Sequence, residues 1–351
     1  MQNDVSMSSY QNCRLCPRRC GINRNCTDAP LGYCGESAAL RIACASIHYG
    51  EEPPISGSGE QGKSGGSGTI FVSGCNLGCV FCQNHQISHG SQTPEQCKTA
   101  ALGQTVDTAE FAEICLALQK KGALNINIVT GSHAVPAIAE GINAAKSKGL
   151  QIPVLWNSSA YELPETLDIL KDMTDVFLPD LKTLDSGIAG QYFNAPDYPV
   201  IASSAIKKMT AMRPLRFSDD SAAKLVSGVI VRHLVLPNHL DSSREVLRWF
   251  ADNCAGKALL SLMFQFTPIT PETPVINNHV DIRQEDSPNR YISQAEYETV
   301  LGWLSEFGIE DGFCQELVPG NTDWLPDFEE INPFPSDLSI PVWHWKIRFI
   351  L

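Results

Sequence analysis

Residues 73–88 read SGCNLGCVFCQNHQIS and follow directly on the apolar run TIFV, residues 69–72. They place Cys75, Cys79 and Cys82 in a C-x3-C-x2-C spacing, with glycines at 74 and 78. An iron–sulfur cluster is held by thiolates, and a tight loop can present three of them to three corners of a cubane. Gly74 and Gly78 let the backbone pass close to such a core without Cβ clashes, and Phe81 can shield one face from water. The fourth iron is then left without a protein ligand. Two other readings of the same residues stay open: a zinc site completed by His85 or His89, or three buried structural thiols.

The rest of the composition narrows the setting. With 351 residues and 43% apolar content, the chain can bury a sizeable core. MQNDVSMSSYQN at the start has neither a basic cluster nor an apolar run, so a soluble cytoplasmic protein with no membrane partner is expected. The formal charge of -13 argues against a surface built to neutralise phosphates, and nucleic acid is not expected as a general partner. Thirteen cysteines would suggest a disulfide scaffold in a small secreted chain. Here nine precede residue 83 and only Cys97, Cys115, Cys254 and Cys314 follow, which suits metal ligands plus a few core thiols.

Residues 1–68 are rich in cysteine and glycine and end in the Gly/Ser stretch ISGSGEQGKSGGSG, so regular structure is expected from Thr69. From there to about residue 270, six apolar runs alternate with helical patterns: TIFVSG, NINIVTGS, IPVLWNSS, DVFLPDLK, GVIVRHLVLPN and LSLMFQFTP. Between the first two, Asp107 can cap a helix in which Phe111, Cys115 and Leu118 recur at helical spacing. Further helices are expected in VPAIAEGINAAKSKG, LPETLDILKDM and SSREVLRWFADNC. This alternation predicts an α/β fold with a parallel sheet, either open and doubly wound or curved into a barrel. The C-terminal strand ends would bring Cys75, Thr130, His133, Asn157, Asp180, Lys182 and Asn238 towards one another. Beyond residue 270 one helix is expected near 293–306, followed by an aromatic, proline-rich tail packed over the exterior. The expected division is 1–68 as a cysteine-rich metal-binding extension and linker, 69–270 as the core, and 271–351 as a C-terminal extension.

Several polar residues have both a functional and a structural reading. Asn157 can contact a ligand or simply turn the chain. Asp180 and Lys182 face the same side of a strand and can bind a ligand or pair with each other. Arg232 and His233 sit in an apolar strand, where a charge needs a partner. His48, Glu51 and Glu52 read as a solvated segment near the mouth of the fold.

The cysteine loop, with an aromatic before its last cysteine and a strand before its first, resembles the signature of radical S-adenosylmethionine (SAM) enzymes. EEPPISG (51–57), SGTIFVSGCNLGCVFCQN (67–84), VLWNSSAYE (154–162), DVFLPDLK (175–182) and VRHLVLPN (231–238) resemble, more narrowly, radical SAM proteins related to pyruvate formate-lyase activating enzyme. The likeness runs over roughly residues 10–345. It implies a partial (β/α)6 barrel carrying a 4Fe-4S cluster on Cys75, Cys79 and Cys82. SAM would chelate the open iron and be cleaved reductively to a hydrogen-abstracting 5'-deoxyadenosyl radical. The electron donor would be flavodoxin- or ferredoxin-like, and a glycyl radical enzyme is the implied protein substrate. The same motif leaves a small molecule or a modified nucleoside as the alternative substrate, and a non-catalytic metal-binding or electron-transfer protein as the alternative class.

The resemblance also suggests that Asn157 bonds the SAM ribose or carboxylate and that Asp180 and Lys182 help to hold SAM or the substrate backbone; Arg232 can bind SAM's carboxylate or sit in a buried salt bridge. One departure matters. Such enzymes commonly carry a Gly-Gly-Glu-Pro-like stretch after the second strand, where this chain reads VTGSHAVP, so Thr130, Ser132, His133 or main-chain carbonyls would have to hold the amine. Upstream, Cys13, Cys16, Cys20 and Cys34 suit a closed four-thiolate site, with Cys26 and Cys44 nearby in sequence. That second site would take zinc or another 4Fe-4S cluster.

Overall fold

The computed structural model describes residues 9–26, 32–57, 65–88, 102–219, 224–268 and 288–350. Cys97, His89 and much of the Gly/Ser and 271–287 stretches lie outside the described residues.

Regular structure begins well before Thr69. Strand β1 (Leu40–His48) is buried along almost its whole length and runs antiparallel to β2 (Ser67–Val72), with Cys44 opposite Phe71. LRIACASIH is as apolar and β-branched as the later strands, but it lies inside a cysteine- and glycine-rich region that masks it. Short β3 (Gln104–Val106) pairs with the first residues of β1.

β2 continues in parallel to β4 (Ile126–Val129), β5 (Val154–Ser158), β6 (Val176–Pro179), β8 (Leu225–Leu234), β9 (Leu259–Met263) and β10 (Gly312–Cys314). β7 (Arg216–Phe217) is a short antiparallel addition to β8. All six expected runs are therefore strands, and β10 adds a further parallel strand at the edge. At the other edge, β11 (Ser339–His344) pairs antiparallel with β1, and β12 (Arg348–Phe349) pairs with β11. The strand order is β10-β9-β8-β6-β5-β4-β2-β1-β11-β12, a sheet that does not close.

Curvature is evident from one loop. Glu51, just past β1, bonds to Asn127 on β4 and to Arg232 on β8, two strands separated in the sheet by β5 and β6. Only a sheet curled around its inner face allows both contacts, so the partial barrel is formed and the flat doubly wound alternative is not.

The helices are α1 (Pro53–Ser56), α2 (His85–Ser88), α3 (Thr108–Lys120), α4 (Val135–Ser147), α5 (Pro164–Leu170), α6 (Ser186–Phe193), α7 (Tyr198–Met212), α8 (Leu240–Cys254) and α9 (Gln294–Glu306). In α3, Asp107 caps by accepting from Glu110 N at 2.8 Å, and Phe111, Cys115 and Leu118 are buried. α9 begins with a full capping box between Ser293 and Glu296. Among the described residues no helix is long and apolar enough to cross a membrane.

The tail is not an exterior wrapping. β11 is part of the sheet, Trp343 within it is fully buried, and its Nε1 donates to Glu110 at 3.1 Å. Its aromatic residues pack because a strand edge, rather than a finished surface, was there to receive them.

Candidate active site

The loop after β2 is fixed from several sides. Gly74 has φ 85°, which only glycine adopts readily, and a Cβ there would stand 2.4 Å from Glu36 Cγ and 2.9 Å from the Cys34 carbonyl. Its N–H donates to the Ile87 carbonyl at 2.7 Å, while Val80 N donates to the Tyr192 carbonyl and Asn76 Nδ2 to the Tyr161 carbonyl at 2.7 Å. Leu77 N points at Cys75 Sγ, 3.3 Å away. Phe81 packs edge-on against Tyr192, Phe193 and Phe266, which anchors the loop on the core.

Cys75, Cys79 and Cys82 open on one cavity of about 630 Å³ inside the curled sheet. Thr130, Asn157, Asp180, Lys182 and Arg232 line the same cavity. Burial pushes the Cys75 thiol up to about 12 and raises Cys79 and Cys82 as well. The opposing influence common to all three is Lys182, whose ammonium favours the thiolate form. Lys182 Nζ meets Asp180 Oδ2 at 2.6 Å. Burial acts against the Lys182 charge, but the Asp180 carboxylate outweighs it and holds the ammonium protonated. Tyr198 supports the pair from behind, donating to the Asp180 carbonyl at 2.7 Å and accepting from Lys182 N.

Thr130, at the end of β4, has φ 63°, a conformation a β-branched residue rarely adopts, and its N–H donates to the Asn157 carbonyl at 2.9 Å. The strained turn brings Thr130 to the cavity in the stretch where the usual Gly-Gly-Glu-Pro pattern is missing.

Other expected residues lie elsewhere. His133 does not reach the cavity: its carbonyl accepts from Arg24 at 2.6 Å, and burial, with Arg24 beside it, pushes the imidazole down to about 3. Ser132 bonds Glu162 at 2.8 Å instead. Asn238 turns outward to Arg290 and Glu296 because β8 has ended before it. His233 is a structural link between the Leu181 carbonyl and Ser243 Oγ.

At the N-terminus, Cys13, Cys16 and Cys34 are buried and Cys20 is exposed, accepting from Tyr33 N at 3.4 Å. Burial pushes Cys16 up to about 12, and Cys34, Cys20 and Cys13 raise it further as neighbours. The segment touches the cysteine loop directly. Arg18 donates to the Asn76, Phe193 and Asn194 carbonyls and lies 3.7 Å over the Tyr33 ring.

Sequence reasoning missed the cavity's other end. Glu51 and Glu52 are not a solvated segment but buried partners of Arg232: its Nε donates to Glu52 at 2.9 Å, and its Nη2 to Glu52 and Glu51 at 2.5 Å each. The available signal was Arg232 itself, a charge in an apolar strand that had to find carboxylates. Trp324 and Phe334 of the C-terminal segment also line the cavity, with Trp324 resting on Gly50.

For a cluster, the donor set is suitable: three soft thiols on one loop, next to a cavity and facing a cation. Among the described residues no three His, Cys, Asp or Glu side chains are gathered so as to hold a single metal ion. A cubane spreads its thiolates over separate irons, and so does not call for such convergence.

The class that this barrel and loop define is the radical SAM superfamily, whose sequence profile residues 69–218 match; this part of the chain is a radical SAM domain. A radical SAM domain implies a 4Fe-4S cluster and SAM. Among individual proteins, the chain is 29% identical over 282 residues to the uncharacterized protein MJ0674 of Methanocaldococcus jannaschii, covering 79% of this chain and 73% of that one. Solved structures similar to it include Streptococcus suis SuiB bound to S-adenosylmethionine, at 12% identity and a TM-score of 0.45 over 69% of this chain. The chain spans about half of SuiB, 48%. A domain of pyruvate-formate lyase-activating enzyme from Bacteroides vulgatus aligns at 10% identity and a TM-score of 0.34, covering 52% of this chain and 91% of that domain.

Proposed function

We propose that this chain is a radical SAM enzyme that cleaves SAM reductively at a 4Fe-4S cluster held by Cys75, Cys79 and Cys82 and abstracts hydrogen from a substrate in the barrel cavity. The observation that carries this reading is the meeting of the three thiols with Thr130, Asn157, Asp180 and Lys182 on one cavity. When bound, the cluster and SAM supply one-electron cleavage of a sulfonium bond and a hydrogen-abstracting radical. The chain's own residues do the rest. Lys182 offsets thiolate charge and, with Asp180 and Asn157, offers donors and acceptors for the polar ends of SAM. Thr130 takes the place of the missing glycine-rich amine site, and Phe81 with its aromatic neighbours keeps water from the loop.

The sequence motifs favour an activase-like role on a glycyl radical enzyme, with a flavodoxin- or ferredoxin-like protein as electron donor. A small-molecule substrate is the second reading, and Trp324 and Phe334 favour it because, beside Gly50 and His48, they add aromatic walls to the cavity. A second metal centre on Cys13, Cys16, Cys20 and Cys34 belongs to the proposal, supported by the spacing of these four thiols in one short segment and the burial of three of them.

Anaerobic reconstitution followed by dithionite and SAM tests the reading. The wild type should release 5'-deoxyadenosine and Cys79→Ala should not; equal yields would overturn it. A glycyl radical EPR doublet on adding a glycyl radical protein would select the activase form.

A further inference from the structure

Glu51 ends the cavity on the side away from the cysteines. β1 is antiparallel to β2, and His48 lies opposite Ser67 at the start of β2, whereas Cys75 follows its end. The loop carrying Glu51 therefore enters the barrel from the opposite rim.

The charges lining the cavity do not cancel. Among the described residues they are Glu51, Glu52 and Asp180 against Lys182 and Arg232. Asp180 is paired with Lys182. Glu52 takes both Nε and Nη2 of Arg232. Glu51 shares only that same Nη2, plus the Asn127 amide at 2.8 Å. One negative charge is left over, and its carboxylate has lone pairs to spare. His48 does not supply the missing cation, since its Nδ1 accepts from Gly50 N and burial holds the imidazole towards its neutral form.

A second observation points the same way. Asn127 is fully buried, and while its Nδ2 donates to Glu51, its Oδ1 has no partner. Turning the amide over would set its oxygen against the carboxylate, so this orientation is fixed and Oδ1 has no partner among the described residues. A buried carbonyl without a donor is costly unless a ligand supplies one.

We infer that Glu51 and Asn127 form a subsite for a cationic nitrogen group, an ammonium or guanidinium, carried by the substrate. The inference rests on the enzymatic reading above and narrows its substrate to molecules or side chains with such a group. Uncharged and anionic substrates would leave Glu51 uncompensated and Asn127 without its donor.

The test uses n-butylammonium, n-butanol and butyrate as size-matched probes on the full-length reconstituted protein, saturated with SAM under anaerobic conditions and read by ligand-observed NMR. Butylammonium should bind at least about tenfold more tightly than butanol, and butyrate more weakly than either. Glu51→Gln should bring butylammonium down to the level of butanol, with thermal unfolding confirming that the variant is folded. Equal binding of butyrate and butylammonium by the wild type would overturn the inference without any variant. So would undiminished butylammonium binding in folded Glu51→Gln. Binding of butylammonium by SAM-free protein that disappears once SAM is saturating would identify SAM itself as the cation and overturn it too. Wild-type 5'-deoxyadenosine release tests the enzymatic reading separately, because none of the probe measurements requires turnover.

Discussion

Arg18 donates through Nε to the carbonyl of Asn76 at 3.0 Å, tying the cysteine-rich N-terminal segment to the loop between Cys75 and Cys79. Its guanidinium also serves the Phe193 and Asn194 carbonyls and stacks on Tyr33. Arg18→Ala should lower stability by about 2–3 kcal/mol, the scale of several partly buried hydrogen bonds and one cation–π contact. Urea unfolding measures this, and iron retained after reconstitution should fall with it.

Gly74→Ala should be far more damaging. An alanine at φ 85° is strained, and its methyl would collide with Glu36 and the Cys34 backbone. A loss of at least about 3 kcal/mol, or insoluble protein, is expected, against about 1–2 kcal/mol for Gly122→Ala, which carries the same backbone strain at positive φ but meets nothing within 4 Å. Chemical denaturation of the two variants side by side is the check.

Lys182→Met removes the ammonium that faces all three thiols and leaves Asp180 unpaired. On the proposed function, SAM should bind about tenfold more weakly, as measured by anaerobic equilibrium dialysis. Wild-type affinity in the variant would separate the ion pair from SAM binding.

Glu296 gives a pH prediction away from the cavity. Hydrogen bonds from Arg290, and next from Ser293 and Asn238 N, hold its carboxyl down to about 2 against the effect of burial. A carboxyl lowered in the fold stabilises above its ordinary value of 4.5, and that contribution disappears as pH falls through about 2. With water on the half-exposed Arg290, the contribution is about 1–2 kcal/mol. Thermal unfolding between pH 6 and about pH 2 should show wild type losing its advantage over Glu296→Gln.

The parallel strands were legible because they are apolar, β-branched and closed by polar residues, as in TIFVSG and DVFLPDLK. Cys75, Asn157, Asp180 and Lys182 could be grouped in advance because parallel strands put their C-terminal ends on one face. β1 could not be seen so readily, since LRIACASIH, though apolar and β-branched, lies inside a cysteine- and glycine-rich region that masks its pattern. Glu51 and Glu52 were misjudged for a related reason: two adjacent acids beside prolines look solvated until Arg232, distant in sequence, is brought to them. His133 and Asn238 lie near strand ends as expected, but local turns direct them to Arg24 and to Arg290.

The pairing of β1 with β11 has a consequence for biosynthesis. Until the ribosome has made residues 339–344, Cys44 to His48 present an apolar edge with no neighbour on that side, beside the very strand that leads into the cysteine loop. Nascent chains halted short of that point would be sticky rather than merely shortened. On the proposed function, loading of a cluster onto Cys75, Cys79 and Cys82 would then follow translation, once this scaffold has settled.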